Sequence, residues 1–163
     1  MVTWKKLAAV EPELAKIGCF LLFQHGVGLA FLATIRKDGG PRLHPVCPVL
    51  ADDHLYLLIT PTSPKRYDLL RDGRYALQSF PQDKEGSEEF YMTGRAECIT
   101  DGVLRAAVFR ATKHIASEHE VLFELKIEQV MHTRWENIGT PHIRPIHRKW
   151  RTSRVTQYAN SKL

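Results

Sequence analysis

The stretch His54-Leu55-Tyr56-Leu57-Leu58-Ile59-Thr60-Pro61-Thr62-Ser63-Pro64-Lys65-Arg66-Tyr67-Asp68-Leu69-Leu70-Arg71-Asp72 decides how this sequence is read. Its first part predicts a strand from His54 to Thr60, with Leu55, Leu57 and Ile59 on one face. A short helix from Ser63-Pro64 to about Asp72 is predicted next, since Ser favours the N-cap and Pro the first helical position. Tyr67 and Leu70 are spaced to face a core. The joint between strand and helix offers hydroxyls and two cations where a helix N-terminus carries roughly +0.5 charge. Thr60, Ser63, Lys65 and Arg66 therefore form a candidate cradle for a phosphate monoester. A capped helix with solvated charges is the plainer reading of the same residues.

Upstream, Val27 to Ile35 alternates but is apolar on both faces, as a doubly covered strand is. After the turn Lys37-Asp38-Gly39-Gly40, a second strand is predicted from Pro41 to Leu50, and Asp52-Asp53 then turns the chain into the strand above. Pro45 and Pro48 each remove a ladder donor, which assigns this strand to a sheet edge or an irregular stretch. Glu11 to Phe23 has helical periodicity through Leu14, Ile17, Leu21 and Leu22. Downstream, Arg74 to Phe80 and Glu89 to Glu97 read as strands, and Asp101 caps a helix to about Lys113 with an apolar stripe of Leu104, Ala107, Val108 and Ala111. Leu122 to Trp135 reads as a strand whose wet face carries Glu124, Lys126, Glu128 and His132.

Six strands and two or three helices predict a mainly β fold: a closed or nearly closed antiparallel barrel with flanking helices. The 163 residues are read as a single domain, with residues 1–26 as an N-terminal helical segment and residues 138–163 as an irregular basic arm. The composition, 44% hydrophobic and 25% charged, is that of an ordinary globular domain. Its longest apolar run, Cys19 to Phe23, is far short of the roughly 20 residues a bilayer requires, so no membrane partner is expected. With no signal-peptide pattern, the expected location is cytoplasmic; the terminal Ser161-Lys162-Leu163 spells a peroxisomal address that matters only in a eukaryote.

Charge is unevenly placed: residues 1–140 sum to −1 and residues 141–163 to +6. The basic end includes Trp150 and Tyr158, a mix that could stack nucleic-acid bases, but no nucleic-acid motif accompanies it and an arm over a subunit interface is favoured. Cys19, Cys47 and Cys98 contain no CxxC pair and read as small core residues. The eight histidines form no sharp ligand spacing, so no protein-bound metal is assigned.

Several of these segments together resemble one family. They are Leu32-Ala33-Thr34-Ile35, Asp38-Gly39-Gly40-Pro41-Arg42-Leu43-His44-Pro45-Val46, Leu55 to Thr60, Lys65 to Asp72, and Gly94-Arg95-Ala96-Glu97. The run from about Val27 to Glu97 is similar to the FMN-binding split barrels related to pyridoxamine 5′-phosphate oxidase. The resemblance implies a six-stranded Greek-key split barrel and a homodimer holding two FMN molecules in clefts between subunits. It places the flavin phosphate at Thr60 with Lys65-Arg66, and the flavin along His44, Pro45 and Val46, with a His where the oxidase has an Arg. Glu89 stands for a flavin-contacting Gln. Trp135 resembles the Trp that covers the flavin from the partner subunit, and Arg148 lies in a segment like the family's Arg-x-His-x-Arg; packing the arm onto the barrel is the other reading of Trp135 and Trp150.

The oxidase's substrate grip, a Tyr, an Arg and a Ser at four-residue steps, corresponds to Ala107, Ala111 and Ile115, while a register shifted by one gives Ala106, Arg110 and His114. Only the cation Arg110 is recovered, as a candidate contact to a small-molecule substrate. The expectation is thus an FMN-dependent oxidoreductase that is not a true pyridoxamine 5′-phosphate oxidase, with no side chain identifiable as catalytic. Some relatives with this barrel take a deazaflavin or haem in place of FMN. A cofactor carrier that does not turn over is the alternative to an enzyme.

Overall fold

The computed structural model describes residues 1–82, 88–113, 116–117 and 119–152. Two helices lead: α1 (Trp4–Val10) and α2 (Pro12–Leu22). Then come β1 (Ala30–Ile35), β2 (Pro41–Val46), β3 (Val49–Ala51) and β4 (His54–Ile59), followed by α3 (Pro64–Arg71) and β5 (Arg74–Ser79). The chain continues through β6 (Glu89–Ile99), α4 (Gly102–Ala111), β7 (Val121–Glu136) and β8 (Arg144–Arg151). The strands join in the order β2-β1-β5-β6-β7-β4-β3, with β8 also on β7, and every pairing is antiparallel. Because the two ends of that path, β2 and β3, are consecutive in the chain, the sheet curls back on itself, forming the expected mainly β, nearly closed barrel with flanking helices.

The core face alternates as the pleat requires. Ala30, Leu32 and Thr34 of β1, Leu77 of β5, Phe90 and Met92 of β6, and Phe123, Leu125 and Ile127 of β7 point inward and are buried. Leu7 of α1 and Leu14, Leu21 and Leu22 of α2 add to the same cluster. Each fully buried side chain of this size contributes about 1.5–3 kcal/mol. The tight turn at Asp52 and Asp53 has φ of 47° and 60°, the left-handed pair that a two-residue hairpin turn needs.

Several expectations are corrected. The predicted second strand breaks at Cys47-Pro48 into β2 and β3, because Pro48 removes a ladder donor there. Within the expected irregular arm, β8 pairs with β7 from Gln129↔Arg151 to Glu136↔Arg144. The N-terminal helical segment is two helices, and the boundary of α1 was not drawn from the sequence; Thr3 caps α1, accepting a hydrogen bond from Lys6 N.

Tyr67 and Leu70 do not face the core: they are exposed, and the adjacent pair Asp68 and Leu69 is buried instead. Hydrogen bonds from Thr34 and Arg42 draw Asp68 inward, which turns the Tyr67 ring out. The β7 face read as wet buries Glu124 and His132, which are satisfied by His54 and Lys126 and by Glu88 respectively. In α4, Val108 is buried but Ala111 is exposed. Cys98 is exposed and Cys47 half-buried, so neither is a core residue, while Cys19 is half-buried and packs against the core. His114, Ile115, Tyr158 and Ser161-Lys162-Leu163 lie outside the described residues. No described helix is long and apolar enough to cross a membrane.

Candidate functional site: a seam between β2 and β4

The main ladder runs from β2 to β3 and does not close on itself. β2 pairs only with β1. One edge of β4 pairs with β7, and the other pairs with β3 only as far as Tyr56. A seam therefore opens between the end of β2 and the end of β4, and Pro45 sits on the unladdered strand as its missing donor requires. In the seam lies a cavity of about 190 Å³ lined by Pro45, Val46, Cys47, Leu58, Ile59, Thr60, Lys65 and Glu120.

Helix α3 closes one end of the seam. Ser63 N donates to Thr60 O at 3.0 Å, making the turn, and Arg66 Nη1 braces it by donating to Pro61 O at 3.0 Å. The Arg66 guanidinium lies 5.0 Å from the Tyr67 ring centroid, while its Nε is buried without a hydrogen-bond partner. Ser63 makes no side-chain cap bond, Pro64 has no N–H, and the Arg66 N–H is used by Ser63 O. An anion here would consequently depend on side chains, Thr60, Ser63, Lys65 and Arg66, more than on the helix N-terminus. Burial lowers the pKa of Lys65, with Glu120 acting in the opposite sense.

From β2, His44 reaches the same region. Its Nε2 is buried and unpartnered, and burial, then the charges of Lys65 and Arg42, push its pKa down against a smaller opposing effect from Asp68. The imidazole is held neutral, able to donate or accept one bond but not to supply a fixed charge. Behind it, Asp68 Oδ2 accepts from Thr34 Oγ1 at 2.9 Å and from Arg42 Nε at 2.7 Å. Burial alone would raise the Asp68 pKa, yet these bonds, the Arg42 charge and Arg71 together lower it. Asp68 thus fixes Arg42 and Arg71 along a second, open cleft of about 700 Å³ on the other side of α3.

Of the residues singled out from sequence, Pro45, Val46, Thr60 and Lys65 line the seam cavity, with Pro45 on the outer face of the sheet beside Phe31 and Gln78; Ser63 and Arg66 stand in the adjoining turn and helix and His44 within reach of the Lys65 charge, but none of these three lines the cavity. Glu89, half-buried at the start of β6, shares that outer face and accepts from Gln78 Nε2 at 3.5 Å. Trp135 and Arg148 are elsewhere. β7 meets β4 at Val121, and Trp135 lies fourteen residues further along, roughly 45 Å as measured along the strand. Arg148, on β8, is ion-paired to Glu11 at 2.9 Å. Arg110 is exposed on α4 and lines a separate hollow with Phe109. Sequence reasoning missed Cys47, Glu120, Arg42 and Asp68; Pro45 and Pro48, which bracket Cys47, were the one available signal.

The sequence profile of the pyridoxamine 5′-phosphate oxidase family matches residues 22–134, more than two thirds of the chain. The chain belongs to that family. The solved structures that share the fold are diverse. A haem-binding protein from Mycobacterium smegmatis superposes with a TM-score of 0.57 at 19% identity, covering 78% of this chain and 55% of its own, so this chain spans about half its length. A protein of Listeria innocua, described as a candidate pyridoxamine 5′-phosphate oxidase, gives 0.56 at 20% identity, covering 72% of this chain and 94% of its own. A NimC/NimA family protein from Clostridium acetobutylicum gives 0.57 at 14% identity over 82% and 91%. At these identities the likeness is one of fold. No curated protein sequence matches this family member.

Proposed function

We propose that this oxidase-family chain binds FMN at the seam, as a homodimer, and acts as a flavin-dependent oxidoreductase on a small molecule. One observation carries the reading: His44 Nε2 and Arg66 Nε, on two residues assigned to the cofactor, are buried without partners, and Lys65, whose charge acts on His44 and which directly precedes Arg66, lines the seam cavity with Thr60. A buried donor without an acceptor costs about 1–3 kcal/mol, which a bound ligand recovers. Thr60, Ser63, Lys65 and Arg66 hold the phosphate, while His44, Pro45 and Val46 border the ring system and Glu89 lies further along the same sheet. Bound flavin supplies the hydride and electron transfer; the protein supplies position, charge and exclusion of water.

The cavity of about 190 Å³ is smaller than the roughly 300 Å³ at which ligand pockets begin, which suits a cofactor whose tail enters one subunit while its ring is covered by another. Trp135 and Arg148 are too far from Lys65 to serve the same site, so in this reading they come from the partner subunit. The outer face of β2-β1-β5, with Leu43 65% exposed beside Phe31, Ala33 and Ile35, is the apolar surface on which that subunit docks. Arg110 is then a candidate contact to substrate.

Haem is the second reading. It is favoured by the haem-binding relative and by His44, whose neutral, unpartnered Nε2 is in the form that ligates iron. The absorption spectrum of the purified protein separates the two. Flavin bands that bleach with NADH or NADPH and return in air support the oxidoreductase; bands that do not bleach leave a flavin carrier; a Soret band or a colourless protein contradicts the flavin reading.

A further inference from the structure

Among the described residues Glu120 is the one carboxylate lining the seam cavity, where it stands immediately before β7 and shares the lining with Lys65. Its Oε2 is buried and has no hydrogen-bond partner. The charge is felt on two sides: it helps burial to raise the Cys47 thiol, and it acts on the Lys65 ammonium. Of the other groups around it, Lys65 comes from α3, Cys47 from the link between β2 and β3, and His44 from β2 beside Lys65. None is an anion, so among the described residues Glu120 is the cavity's one charged acceptor. A ligand bearing only negative charge would satisfy Lys65 and set like charge against Glu120. A ligand with a hydroxyl next to its anionic group satisfies both.

We propose that Glu120 is the specificity-determining acceptor of this site, taking a hydrogen bond from a hydroxyl of the ligand whose phosphate meets Lys65, so that the cavity selects phosphorylated polyols. The inference rests on the flavin reading and deepens it. FMN carries its phosphate on a hydroxylated ribityl chain, whereas haem carries carboxylates with no neighbouring hydroxyl. Glu120 thereby discriminates between the two cofactors that the fold accommodates.

The test is a fluorescence titration of protein freed of flavin, with two probes: FMN, and a flavin whose phosphate sits on an unhydroxylated five-carbon chain. Wild-type protein binds FMN the more tightly. Glu120→Ala lowers the ratio of the two affinities about tenfold, the worth of one charge-assisted hydrogen bond. Glu120→Gln, whose amide oxygen still accepts, keeps most of that ratio. An unchanged ratio in Glu120→Ala overturns the proposal, whatever happens to the absolute affinities. A ratio that collapses equally in Glu120→Gln also overturns it, since charge and not an acceptor oxygen would then be at work. If wild-type protein binds neither probe, the flavin reading itself fails and carries this inference down with it.

Discussion

His44 sits between Lys65 and Arg42 with its Nε2 sealed from water, an environment that keeps the ring neutral. Its folded pKa is below the ordinary 6.5, so the unfolded chain binds the proton more readily. The ligand-free protein therefore loses stability as pH falls through about 6.5 toward the folded value, and above that range the group contributes no slope. A phosphate ester bound near Lys65 would add negative charge and favour the imidazolium. NMR titration of the His44 ring should accordingly give a pKa below 6.5 without ligand and a higher one with FMN; a value unmoved by FMN would place the phosphate elsewhere. Thr60, Lys65, Arg66 and His44 were legible in the sequence, because strand, turn and helix bring the first three together within a few residues. Glu120 was not, since the cavity it lines also draws on Cys47 and Lys65, which are distant along the chain, and no local pattern marks it.

Among the elements, β2 and α3 announced themselves: prolines in a strand point to an unladdered edge, and Ser-Pro opens a helix. β8 did not. Six of its eight residues are exposed, so it lacks the apolar alternation by which strands are recognised, and it is a strand only because β7 supplies a ladder. α1 is seven residues long, too short for its periodicity to speak. The seam itself depends on a close approach. A Cβ on Gly28 would lie 2.0 Å from the Pro48 carbonyl oxygen, so only glycine lets the break between β2 and β3 pass there. Gly28→Ala should cost about 2 kcal/mol by overpacking, roughly 6 °C in melting temperature, and should weaken flavin retention by displacing Cys47-Pro48. A thermal melt that matches wild type would show that this contact does not hold the seam in place.

For the molecule as a whole, the barrel was legible because its strands are local hairpins with clear patterns, whereas the separation of Trp135 and Arg148 from the seam within one subunit was not, because it depends on how the long β7 runs through the sheet. The apolar outer face around Leu43 belongs to that scale. Sedimentation of wild-type protein should show a dimer, and Leu43→Asp should shift it toward monomer while loosening FMN, since the partner's cover is lost. A wild-type monomer that retains FMN would refute the shared site.

The most direct measurement is a fluorescence titration with FMN of wild-type protein and of the double variant Lys65→Ala/Arg66→Ala, both freed of flavin. Wild type should bind one FMN per subunit, and the double variant should bind at least a hundredfold more weakly while keeping its fold by circular dichroism. Equal affinity in the two proteins, or no binding by wild type, would contradict a phosphate cradle at the start of α3.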